Sequence, residues 1–144
     1  MIDTKKTVVV VPCSGIGKSL GTVSRETAYE LCEILRPQRT ELIALSKLVL
    51  GDPQARDRVK HSLAVTIDGC AQMCASKLVK YSGGSVAREV AVFEEFRHHR
   101  DLKPEGIAEL NPKGMQLARV LAEEIAAQID MMSRSAAGKG DQHA

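Results

Sequence analysis

Apolar residues gather in four short runs along the chain, and polar or helix-patterned stretches separate them. Thr7 to Val11 is β-branched almost throughout, the pattern of a strand buried on both faces. Thr40 to Leu45 and Leu63 to Ile67 predict a second and a third strand, and Val86 to Phe93 alternates as a fourth. Between them the period changes. Ala28, Leu31, Cys32 and Leu35 share one face of a helix expected over Thr22 to Leu35, which Arg36-Pro37 ends. Pro53 opens a short polar helix reaching Lys60, while Leu48 to Asp52 fits more than one element. A helix is expected from Ala71 to Tyr81, closed by Gly83-Gly84. Phe96 to Leu110 is polar and irregular. Asn111-Pro112 is a helix start, followed by an apolar stripe at Leu117, Leu121, Ile125 and Ile129. Residues 133–144 have no apolar side chain large enough to pack, so a disordered tail is expected there, after one domain over residues 1–132.

Strands alternating with helices define an α/β fold: a single three-layer domain with a mostly parallel sheet of about four strands. Right-handed crossovers and strand order 2-1-3-4 make the first and third strands neighbours at the switch point. Ligands of such sheets bind outside the carboxyl ends of the strands at that point. Cys13 follows the first strand and Cys70 follows the third, so both thiols are expected in that crevice, with Cys74 close by.

Composition narrows the function. The 144 residues suffice for one domain with a sizeable core. A formal net charge of +2, no basic run, two Tyr and two Phe give nucleic acid little to bind to. No apolar run approaches the roughly 20 residues that cross a bilayer. The N-terminus leads straight into the first strand with no signal peptide, so a cytoplasmic protein with no membrane contact is expected. In that reducing compartment four cysteines point to metal or catalysis rather than disulfides. Nothing in the sequence specifies a protein partner.

Thiolates are soft ligands, so Cys13, Cys70 and Cys74 form a candidate site for a soft metal ion, zinc first. Cys70 and Cys74 lie four apart, which on one helix puts them on the same face. The competing reading makes Cys74 a core residue beside Leu78. Cys32 would sit roughly 15 Å along its helix from the Cys13 loop and on the apolar stripe, which marks it as core. Asp68 ends the third strand, where it can support the site, ligate, or cap the following helix. Ser14 and Gly15 belong to a small-residue loop that could take a small anion. Gly15-Ile16-Gly17-Lys18-Ser19 looks like the end of a Walker A loop, but Pro12 stands where its first glycine should be.

The pairing of Pro12-Cys13-Ser14-Gly15 with Asp68-Gly69-Cys70-Ala71-Gln72-Met73-Cys74 resembles the DGC domain family, named for the triplet here at Asp68-Gly69-Cys70. The resemblance runs from about Val8 to Phe93 and implies zinc binding through four cysteines. This chain departs from that pattern at the end of its second strand, where Ala44 stands in place of a cysteine. Three thiols and an open fourth position would remain. The alternative is a thiol-dependent enzyme acting on an oxyanion, phosphatase- or arsenate-reductase-like, with Cys13 as nucleophile. Such loops place an arginine six residues after the cysteine, where this chain has Ser19, with Lys18 as the nearest charge.

Overall fold

The structure, a computed structural model, describes residues 8–141, with side chains described over 8–132. Strand β1 (Val8–Pro12) leads into helix α1 (Ser19–Tyr29), which widens into a π-helical stretch over Glu30–Leu35. There the Arg36 N–H reaches back five residues to the Leu31 carbonyl at 2.8 Å. Strand β2 (Thr40–Leu42), helices α2 (Leu45–Leu50) and α3 (Pro53–Lys60), and strand β3 (Leu63–Asp68) follow. Helix α4 (Cys74–Tyr81), strand β4 (Val86–Ala91), the short helix α5 (Val92–Glu95) with a 3-10 turn over Phe96–His98, and helix α6 (Pro112–Asp141) complete the chain.

The sheet is parallel throughout, in the order β2-β1-β3-β4. Its central strands β1 and β3 are buried on both faces because helices cover both. Val8, Val10, Val65 and Ile67 face α1 and α6, whose Leu117, Leu121, Ile125 and Ile129 stripe is buried as the sequence indicated. Val9, Val11 and Ala64 face the opposite layer, built from Leu45, Leu48, Ala55, Val59, Ala75 and Val79 of α2, α3 and α4. Among the described residues no helix is long and apolar enough to cross a membrane.

Helix α1 begins at Ser19 rather than Thr22, and three further elements differ from the sequence reading, each for a local reason. Strand β2 stops at Leu42, because Leu45 and Leu48 turn their i, i+3 spacing into the buried face of α2. Strand β4 stops at Ala91, opposite Asp68 at the end of β3, so no neighbour remains to extend the ladder. Helix α4 begins at Cys74 rather than Ala71. Met73 before it is left-handed (φ 52°), and the backbone over 69–73 is a turn closed by the Met73 N–H on the Cys70 carbonyl at 3.2 Å. The backbone of α6 is helical to Asp141; the side chains from 133 and all of 142–144, on which the expected disordered tail falls, lie outside the described residues.

Candidate functional site

Strands β1 and β3 pair in register from Val8 with Leu63 to Pro12 with Ile67, so both end at one level. Cys13 is the next residue of β1, and its N–H still donates to the Ile67 carbonyl at 2.9 Å. Its side chain is held from two directions. The Gly69 N–H donates to Cys13 Sγ at 3.3 Å. The thiol in turn faces Ser24 Oγ at 3.4 Å, and the Ser24 hydroxyl, fully buried on α1, donates to the Ile67 carbonyl at 3.0 Å.

Glycines hold the loops together around it. Gly15, Gly21 and Gly69 bring the Cys13 loop, the first turn of α1 and the Cys70 turn into backbone contact. A Cβ on Gly69 would lie 2.7 Å from the Gly21 nitrogen, and one on Gly21 would collide with the Gly15 Cα. Side chains are excluded here so that three chain segments can touch.

The crevice beyond them has a volume of about 240 Å³. Cys13, Cys70 and Cys74 all line it, with Lys18 and Gln72, and among the described residues no carboxylate or histidine joins them. Cys13 and Cys70 are half-buried and Cys74 is exposed, which rules out a core role for Cys74. Cys32 is 9% exposed within the α1–α6 core, as the helical spacing indicated. Because α4 starts at Cys74, Cys70 and Cys74 do not share a helix face; the turn between them brings both to the crevice instead. Among the described residues, no three or more His, Cys, Asp or Glu side chains are gathered closely enough to hold a metal ion.

Asp68 lies beneath this crevice. It is 1% exposed, and its carboxylate accepts from the Ala75 N–H at 2.8 Å and the Ser76 N–H at 3.2 Å. It therefore caps α4 from the end of β3 and sets where Cys74 stands. Burial holds its carboxyl above the ordinary carboxylate range, against the pull of the two backbone N–H groups, with the nearby Glu89 charge adding to the rise.

A second crevice, of about 270 Å³, opens on the β2 side of the Cys13 loop. Cys13, Ser14, Ala44 and Ser46 line it together with Arg25 and Tyr29 of α1. The Arg25 guanidinium donates to the Ser14 carbonyl and lies 3.4 Å from the Thr22 hydroxyl. The loop pattern that ended at Ser19 could not find this arginine, because it reaches the loop from within the helix. Ser24 escaped notice for the same reason. The spacing of Thr22, Arg25 and Tyr29 along one side of α1 was the available signal. His61 is paired with Asp57 and His99 with Glu124, away from both crevices.

The fold and this crevice define a class: a parallel α/β domain with cysteines at the switch point of its sheet. The DGC domain model matches residues 9–113, and the chain belongs to the DGC domain family. No curated protein and no solved structure matched it.

Proposed function

We propose that the crevice binds a soft metal ion, zinc first, through the thiolates of Cys13, Cys70 and Cys74. The observation that carries this reading is the choice of sulfur: three thiols, from the Cys13 loop and from residues 70–74, line one crevice that no carboxylate or imidazole among the described residues joins. That donor set suits a soft ion. The Gly69 N–H on Cys13 Sγ is the kind of outer contact that supports a coordinated thiolate. Binding would draw the three sulfurs together through adjustment of residues 70–73, which belong to neither sheet nor helix. Zinc held by three protein thiolates keeps a position open for a further ligand, and it would tie the ends of β1 and β3 to the start of α4.

The test is metal analysis of protein purified under reducing, anaerobic conditions. About one zinc per chain is expected, lost from Cys70→Ser and from Cys13→Ala. Cys32→Ala is expected to keep its metal and to lose only about 1–2 kcal/mol of stability, as a small buried side chain should. A wild type that neither carries zinc nor takes it up when it is added overturns the reading.

A further inference from the structure

Arg25 differs from the arginines that carboxylates neutralise in this fold. Arg36 pairs with Asp130, Arg58 with Glu41 and Arg88 with Glu95. Arg25 meets a carbonyl and a hydroxyl, and among the described residues it makes no ion pair. It lines a crevice whose wall holds no carboxylate among the described residues. The remaining polar groups there are hydroxyls, from Tyr29 on α1 and from Ser14 and Ser46. An unneutralised guanidinium with hydroxyl donors around a concavity is the chemistry that takes an oxyanion, since arginine offers a planar fork of N–H groups to it. At about 270 Å³ the space is at the small end for ligand pockets, which limits the guest to a compact one.

We infer that this second crevice is an anion subsite for a compact phosphate, either free or carried by a small phosphomonoester, held by Arg25 with the hydroxyls of Tyr29 and Ser46. Because Cys13 lines both crevices, an anion here lies against the same loop that carries the thiol. The subsite uses none of the three thiols as a ligand. It is therefore independent of metal, and the two readings can fail separately.

The experiment titrates inorganic phosphate, and in a second arm glycerol phosphate, into the full chain kept reduced with a chelator present. Binding is followed by calorimetry and by phosphorus NMR. Saturable binding is expected, weakened at least about tenfold by Arg25→Gln and less by Arg25→Lys, which keeps the charge but not the fork. Tighter binding of glycerol phosphate identifies the ester as the source, and equal binding identifies the free anion. Arg25→Gln also removes the bond to the Ser14 carbonyl, so Tyr29→Phe and Ser46→Ala are needed as variants that leave the loop alone. Each should weaken phosphate by about threefold, the scale of one hydrogen bond. Cys13 alkylation gives a further readout. Arg25 should favour anionic iodoacetate over neutral iodoacetamide, and the ratio should fall in Arg25→Gln, whereas a merely structural arginine would move both rates together. No saturable phosphate binding by the wild type overturns the inference. So does phosphate binding that is unchanged in Arg25→Gln.

Discussion

Gly69 is the residue on which the site's geometry turns, although it carries no side chain. Its N–H reaches Cys13 Sγ, and its Cα side faces the Gly21 backbone with no room for a methyl group. Gly69→Ala should therefore push the Cys70 turn away from α1, at a cost of about 1–3 kcal/mol, the range for overpacking a tight contact. A urea unfolding curve checks the stability, and the alkylation rate of Cys13 checks the lost N–H contact. A variant as stable as the wild type would mean that the three-glycine contact is looser than described. At this scale the sequence was informative about chemistry and silent about support. Cys13 and Cys70 could be placed in one crevice because each follows the end of a buried strand, whereas Cys74 was expected there through a shared helix and reaches it through a turn instead. Ser24 and Arg25 could not, since their roles depend on how α1 lies across the ends of β1 and β3, which no local pattern encodes.

Helix α4 shows the same division between elements. Its C-terminal glycines were legible, and its start was not. The Asp68 carboxylate binds the Ala75 and Ser76 N–H groups from beyond a turn, so the capping residue is not the residue before the helix. A reading that looks for a cap next to the first helical residue begins the helix at Ala71, three residues too early, and puts Cys70 at its start. Asp68→Ala should leave two N–H groups at the start of α4 without their partner. The expected loss is about 1–3 kcal/mol, for a buried acceptor serving two donors. Hydrogen exchange separates this from general destabilisation: the amides of Ala75 and Ser76 should exchange faster than those of Leu78 and Val79. Uniform acceleration along α4 would show that Asp68 does not act as its cap.

Across the whole molecule, the strand order and layering were legible because they follow from long buried runs and from the handedness of crossovers. The coupling of charges through the layers was not, since it joins residues far apart in sequence. Ser76 is one such joint. It donates its N–H to the Asp68 carboxylate and its hydroxyl to Glu89, on β4, at 2.6 Å. Lys80 also donates to Glu89, at 2.7 Å, and with the Ser76 hydroxyl it holds the Glu89 carboxyl below its ordinary range.

The two acids therefore push pH dependence in opposite directions. Asp68 ionises above its ordinary value of 3.8 in the folded protein, chiefly through burial. Between 3.8 and that higher folded value the folded chain keeps a proton that the unfolded chain has released, so this contribution falls as pH rises and is flat beyond. Glu89 is the reverse. Its contribution is complete above 4.5 and is lost as pH drops through its lower folded value, because the unfolded chain is protonated first. Urea midpoints across an acid pH series should show this. Relative to Asp68→Asn, the wild type should lose stability as pH rises above 3.8. Relative to Glu89→Gln, it should lose stability as pH falls below 4.5. Since the Glu89 charge contributes to the rise at Asp68, the Asp68 window in Glu89→Gln should also narrow toward 3.8. A wild-type profile parallel to that of Asp68→Asn at every pH would mean that the Asp68 carboxyl ionises alike in the folded and unfolded chain, and that its burial under the crevice costs it nothing.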